Sequence, residues 1–164
     1  MKFQKFVKSI GSEGIIYERK NGERWLASDN VFMLIPEDIR SITASEIAPM
    51  PEAIENIINY ESFTDPCELH KAVMPYADGA IKDCVRIFAT ENALNTIAIC
   101  NSAYALIERK DFVEMYAKFN VEDETSEAKA LVIKEQTTPL PEDEPEVIGL
   151  IFPTEYEEGA NNDK

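Results

Sequence analysis

Apolar and polar residues alternate in several short segments of the chain, and a period of two is typical of half-buried strands. The clearest case is 15–28, where two such segments flank Asn21-Gly22. Both turn residues tolerate the positive φ of a type I′ turn, so this pattern predicts a β-hairpin. Asp29-Asn30 predicts a second turn, and 31–35 a third strand.

The densest pattern lies between Cys84 and Phe119, where we expect strand, turn, strand and helix in that order. Residues 85–90 alternate as a strand, a turn follows, and a second apolar segment begins at 96–100 and continues through Tyr104, Leu106 and Ile107. At Asp111 the period changes to 3.6, which predicts a helix to Phe119. Asp111 is suited to cap that helix, and Glu114 completes a capping box.

Two further helices are predicted from proline and capping residues. Pro51 suits a first helical position, and the apolar residues behind it recur at helical spacing up to Ile58. Asp65 and Glu68 form another capping box, with Pro66 between them. The apolar face of this helix would comprise Leu69, Ala72 and Val73, and Pro75 would end it.

The chain ends with strands predicted at 130–133 and 147–152, separated by an acidic, proline-rich loop. Residues 2–10 fit either a strand or the start of a helix. The sum is one α+β domain, 1–153, with a mostly antiparallel sheet and about three helices packed on one side. Residues 154–164 predict an acidic disordered tail.

The formal net charge of −15 on 164 residues is the strongest compositional feature. It opposes non-specific attraction to phosphates and to anionic membranes, because both depend on neutralising negative charge. We therefore expect a protein partner and no membrane partner. DNA contact would need an oligomer that presents a basic face, and the residues for such a face are Lys2, Lys5, Lys8, Arg109 and Lys110.

A cytoplasmic location is predicted from three features. No apolar segment approaches the roughly 20 residues that cross a bilayer. Residues 1–8 carry charge where a signal peptide would be apolar. Three widely spaced cysteines fit reduced thiols better than a disulfide framework.

Cys67-x-x-His70 has the spacing of half a zinc site, with Cys84 and Cys100 as the remaining candidates for ligands. Structural zinc sites usually draw two close pairs, and here the second pair is missing. On the predicted helix Cys67 and His70 would share a face without any metal. The chain has one histidine and no phosphate-binding glycine loop, so we expect no catalytic residues, no metal and no cofactor.

The second half of the chain resembles the terminal domain of a bacterial DNA polymerase sliding clamp. In that family a strand runs into a short helix, and paired strands follow. The segments in matching order are Ile97–Ile107, Asp111–Phe119, Ala130–Lys134 and Gly149–Pro153. Trp25–Leu34 is similar to the family's hairpin with its Ala-Thr-Asp-Gly step. This resemblance covers about half of the chain and implies a clamp-like fold.

The chain also departs from that family. Clamp domains present basic helices to DNA, whereas residues 51–60 contain no lysine or arginine. A clamp ring is built from six such domains, and this chain has room for one. No functional residue is transferred, so the residues of the binding site are left unassigned.

The sequence leaves three functional hypotheses. The first is a non-enzymatic macromolecule-binding domain, with a clamp-like role in bacterial or phage DNA replication. The second is an acidic protein-binding or inhibitor module that occupies a basic partner. The third, a thiol- or metal-dependent enzyme, would depend on Cys67 and His70.

Overall fold

The computed structural model of the chain describes residues 1–39, 41–42, 44, 46–59, 66–74, 83–90, 96–108, 113–119, 128–135 and 146–156. These residues form three helices and ten strands. The helices are α1 (Phe3–Ile10), α2 (Glu52–Ile58) and α3 (Asn101–Tyr104). The strands are β1 (Ile15–Glu18), β2 (Arg24–Ser28), β3 (Val31–Leu34), β4 (Glu46–Pro49), β5 (Cys67–Val73), β6 (Val85–Thr90), β7 (Thr96–Cys100), β8 (Val113–Phe119), β9 (Ala128–Glu135) and β10 (Glu146–Ile151).

The strands form two sheets, which confirms the predicted α+β class. The larger sheet has the order β4-β1-β2-β3-β10-β9-β8, and the smaller has the order β5-β6-β7. Within the described strands every pair is antiparallel except β1 with β4. An isolated bridge between Pro66 and Tyr116 links the two sheets. Thr154, beyond β10, donates its backbone N–H to Ala98 of β7.

The seven-stranded sheet buries apolar side chains on both faces. In β9, Leu131 and Ile133 belong to one core, whereas Ala130 and Val132 belong to the other, as strand alternation requires. The first core includes Phe6 of α1 and the inward face of the smaller sheet. The second core is covered by α2. The helices therefore lie on two faces, and the prediction that they pack on one side is wrong in that detail.

The predicted β1–β2 hairpin is confirmed, but its loop differs from the predicted type I′ turn at Asn21-Gly22. Gly22 donates its N–H to the Arg19 carbonyl at 2.9 Å, and Arg19 donates its own N–H to the Glu23 carbonyl at 2.9 Å. Lys20 and Asn21 are therefore the central turn residues, and the loop is three residues long. Gly22 has a φ of 89°, the left-handed conformation that glycine adopts in such loops.

Two predicted helices are wrong, because β5 and β8 occupy those positions. Residues 113–119 pair with β9, and residues 67–73 pair with β6. A capping box contributes only about 1 kcal/mol. The cross-strand pairing of β5 with β6 and of β8 with β9 outweighs it. The proposed caps Asp65 and Asp111 lie outside the described residues.

The apolar segment predicted to run from 96 through Ile107 is a strand only to Cys100, and the helix α3 follows it. The remaining predicted elements within the described residues agree with the structure within a residue or two. Of residues 2–10, residues 3–10 form the helix α1, which settles the choice between strand and helix. α2 begins at Glu52 with Pro51 as its N-cap, and 31–34, 128–135 and 146–151 are strands. The predictions for 78–79, 91–95, 122–124 and 136–145 lie outside the described residues. Of the predicted tail, 157–164 also lies outside them.

Candidate binding clefts at the β1–β2 hairpin

The turn of the β1–β2 hairpin lies between two clefts. One, here called the helix-side cleft, has a volume of about 460 Å³ and is lined by Arg19, Lys20, Asn21, Met50, Glu52, Glu55, Asn56 and Asn59. The other, here called the strand-side cleft, has a volume of about 520 Å³ and is lined by Asn21, Gly22, Glu23, Arg24, Leu34, Ile35, Pro36, Glu37 and Glu146. Asn21 lines both, so the two clefts meet at the turn.

Strand pairing brings distant parts of the chain to this end of the larger sheet. Met33 of β3 pairs with Gly149 of β10, so the residues that follow β3 lie beside the start of β10. The N–H of Ile35 donates to the carbonyl of Arg24 at 2.9 Å. On the other side of the hairpin, the N–H of Met50 donates to Glu18 at 2.9 Å and places α2 against the turn.

Arg19 connects the turn to α2. Its Nε donates to Glu55 Oε2 at 2.9 Å, and its other nitrogens contact Glu23 and Asn59. Desolvation by burial works to raise the pKa of Glu55. The hydrogen bond and charge of Arg19, together with hydrogen bonds from the Lys20 N–H and Asn59, outweigh it, and the net pKa is lowered. The charge of Arg19 is therefore already balanced by carboxylates.

The rest of the helix-side cleft is lined by groups that form hydrogen bonds. Three side-chain amides line it, those of Asn21, Asn56 and Asn59. The Oδ1 atoms of Asn21 and Asn59 already accept hydrogen bonds, from the Glu23 N–H and from Arg19. Asn59 uses one donor on Glu55 at 3.3 Å. Such a lining suits polar ligands with both donors and acceptors, which include peptide backbones.

The strand-side cleft concentrates negative charge in a concave site. Glu23, Glu37 and Glu146 border it, and Arg24 is the one cation among its described lining residues. Glu146 is exposed at the rim of the cleft. Partial desolvation raises the pKa of its carboxyl, and the neighbouring charges of Glu23 and Glu37 raise it further. Glu23 is paired with Arg19. The carboxylates of Glu37 and Glu146, opposed by Arg24 alone among the described lining residues, therefore carry the negative charge that the site leaves uncompensated.

Apolar residues complete the same cleft. Leu34, Ile35 and Pro36 line it beside the three carboxylates. An apolar surface next to carboxylates matches the chemistry of lysine and arginine, whose long aliphatic stems carry a cation at the end. A bare metal ion fits less well, since the described residues contain no group of three or more His, Cys, Asp or Glu placed to hold one.

The structure separates the residues of the half zinc site considered from the sequence. Cys67 is buried in β5, and its Sγ lies 3.6 Å from the carbonyl oxygen of Met115. His70 is exposed on the same strand, where the register with β6 shifts. Cys84 and Cys100 are half-buried, and Cys100 Sγ lies 3.0 Å from Thr154 Oγ1. Cys67 and His70 do not share a helical face as predicted, because β5 is a strand.

Part of the predicted basic face can be located. Lys5 and Lys8 are exposed on α1, and Lys2 Nζ donates to the Ala105 carbonyl at 3.0 Å. Arg109 and Lys110 lie outside the described residues. The basic face as a whole therefore stays a prediction.

Sequence reasoning missed both clefts. It identified the hairpin turn, but it gave no role to Glu37 or Glu146. The useful signal was Pro36-Glu37 at the end of a predicted strand and Glu146 at the start of another. These positions indicate a shared site only when β3 and β10 are known to pair. Short-range sequence patterns do not predict strand order.

The fold and clefts define an acidic α+β domain with a carboxylate-bordered cleft beside a hairpin. Comparison of the chain with family models, curated proteins and solved structures finds no match. No helix among the described residues has both the length and the apolar character to span a membrane. The resemblance to sliding clamps stays a prediction, and one segment used for it, 111–119, is a strand from Val113 onward.

Proposed function

We propose that this protein is a non-catalytic domain that binds another protein through a basic segment, with a lysine or arginine side chain seated in the strand-side cleft. The observation that carries the proposal is the meeting of Glu23, Glu37 and Glu146 around a cleft of about 520 Å³ with an apolar lining.

The pKa of Glu146 is raised first by desolvation and then by the neighbouring charges of Glu23 and Glu37, so part of the shift reflects repulsion between carboxylates. A cation that enters the cleft relieves this repulsion, and the gain adds to its direct attraction to each carboxylate. The apolar surface of Leu34, Ile35 and Pro36 would cover the aliphatic stem of the same side chain. Charge and shape therefore favour the same ligand.

The charge of the whole chain supports the same partner. A net charge of −15 attracts a basic protein surface over distances of about a Debye length, which raises the rate of encounter. It also opposes binding of nucleic acids. The helix-side cleft continues the surface past Asn21 and offers amide groups to the backbone of the same bound segment.

The proposal is tested by calorimetric titration of an Arg-Ser repeat peptide into the purified protein, with a Glu-Ser repeat peptide as the reversed-charge control. Each of Glu37→Gln and Glu146→Gln should weaken binding by roughly twofold to fivefold, as is typical of exposed charge pairs. Glu68→Gln on β5 makes the same charge change on the other sheet and should leave binding unchanged.

Equal losses in all three variants would show that the peptide responds only to net charge, and would contradict a site at the cleft. Absence of binding to the Arg-Ser peptide at low ionic strength would also contradict it. Thermal unfolding of each variant checks that the fold is retained.

A further inference from the structure

The turn of the β1–β2 hairpin contains an asparagine followed by glycine, and both residues are exposed. The N–H of Glu23 donates to Asn21 Oδ1 at 3.1 Å, so the side-chain amide is folded back over the following peptide. A Cβ added at Gly22 would meet no atom within 4 Å, which shows open space around this residue. These features place the side-chain amide of Asn21 next to the backbone of Gly22, where no side chain obstructs its approach.

We propose that Asn21 is a site of spontaneous deamidation. The backbone nitrogen of Gly22 loses its proton to solvent base and attacks Asn21 Cγ. A C–N bond forms, the bond from Cγ to the side-chain nitrogen breaks, and ammonia leaves. Water then opens the succinimide ring at either carbonyl, which gives aspartate or isoaspartate at position 21.

The surroundings favour this reaction at Asn21 over other asparagines. The hydrogen bond from Glu23 N–H withdraws electron density from the carbonyl of the Asn21 side chain. Glycine adds no side chain to obstruct ring closure, whereas Asn30 and Asn56 precede the β-branched residues Val31 and Ile57. The Gly22 N–H donates to Arg19, and this single bond at the loop tip must open first.

The product would change both clefts, because Asn21 lines each of them. Aspartate adds a fourth carboxylate to the three that border the strand-side cleft. Isoaspartate also inserts a methylene group into the backbone between Arg19 and Glu23, whose hydrogen bond closes the loop. The modification therefore acts as a slow, irreversible change of charge and turn geometry.

The test is to incubate the full chain in mildly alkaline buffer and to follow proteolytic peptides by mass spectrometry, where conversion of an amide to an acid adds about 1 Da. Conversion at Asn21 should be about tenfold or more faster than at Asn56 in the same digest, because glycine replaces a β-branched neighbour. An isoaspartate-specific cleavage or labelling assay should find the isomer at position 21.

Two variants test the mechanism. Asn21→Gln keeps an amide but needs a larger ring, and it should abolish the mass increase in this peptide. Gly22→Ala should slow conversion at Asn21, and a circular dichroism spectrum checks its fold. Conversion at Asn21 no faster than at Asn56, or unchanged in Gly22→Ala, would overturn the proposal. These readouts do not depend on peptide binding, so this proposal and the proposed function can fail separately.

Discussion

Arg19 holds the turn of the hairpin against α2. Its side chain is 10 % exposed and that of its partner Glu55 is 14 % exposed, so both charges are largely shielded from water. We expect Arg19→Met to lower the free energy of unfolding by about 1–3 kcal/mol, since it leaves a shielded carboxylate without its cation. Denaturant unfolding followed by fluorescence measures this, because the single tryptophan, Trp25, is fully buried.

Lys20→Met is the matched control for that variant. Lys20 is exposed, and it reaches Glu55 through its backbone N–H, which the substitution keeps. Its effect should stay within about 0.5 kcal/mol. Similar losses in both variants would mean that the ion pair of Arg19 does not stabilise the fold.

Glu146 makes the stability of the folded protein depend on pH. Its pKa is raised in the folded protein, so between the ordinary and the raised value the folded state binds more protons than the unfolded state. Stability should therefore fall as pH rises through this window. We expect Glu146→Gln to reduce that slope in melting temperatures measured from mildly acidic to neutral pH.

Glu155→Gln removes the same charge from an exposed residue outside the cleft. It should keep the slope of the unmodified protein. An unchanged slope in Glu146→Gln would contradict the carboxylate repulsion inferred for the strand-side cleft.

At the scale of elements, β9 is the strand on which both cores depend. It lies between β10 and β8, and Leu131 is fully buried in the first core. We expect Leu131→Ala to cost about 2–5 kcal/mol, through lost burial and the cavity left behind. Leu69→Ala on β5 removes the same atoms from a residue that is 40 % exposed, and should cost less than about 1 kcal/mol.

Denaturant unfolding of Leu131→Ala and Leu69→Ala measures the loss of unfolding free energy in each variant. Equal costs would mean that Leu131 and Leu69 contribute alike, and that β9 is not central to the cores. The same difference should separate the melting temperatures of the two variants.

The elements that sequence reasoning recovered are those defined by local chemistry. Asn21-Gly22 marks a hairpin, and Pro51 marks a helix start, whatever the rest of the chain does. β8 was missed although 113–119 alternates apolar and polar residues, because the spacing of Phe112, Met115 and Phe119 also fits a helix.

β5 shows a second way in which a strand imitates a helix. Its register with β6 shifts between Leu69 and Lys71, so the cross-strand partners of Cys67, Leu69 and Ala72 share one face of the sheet. A spacing of two followed by three resembles helical periodicity. The candidate site could not be predicted from local sequence patterns either, because its carboxylates come together only through long-range strand pairing.

At the scale of the whole molecule, a net charge of −15 acts on stability as well as on partners. Like charges repel more in the compact state than in the unfolded chain, and salt screens them over about 10 Å at 0.1 M. We expect the melting temperature at neutral pH to rise by several degrees as sodium chloride is added from low ionic strength. Scanning calorimetry over a salt series measures this.

The same salt series in acidic buffer is the control, since protonated carboxylates no longer repel one another. The rise should be smaller there. A melting temperature that is independent of salt at neutral pH would show that the negative charges are already balanced within the fold.

The pairing of β3 with β10 has a consequence for synthesis on the ribosome. Val31 pairs with Ile151, so β3 leaves the exit tunnel long before its partner has been translated. Until then the nascent chain carries an open strand edge, and such an edge readily pairs with other chains. Completion of the larger sheet must wait until β10 has been translated, and crowded polysomes are where aggregation of the incomplete sheet would begin.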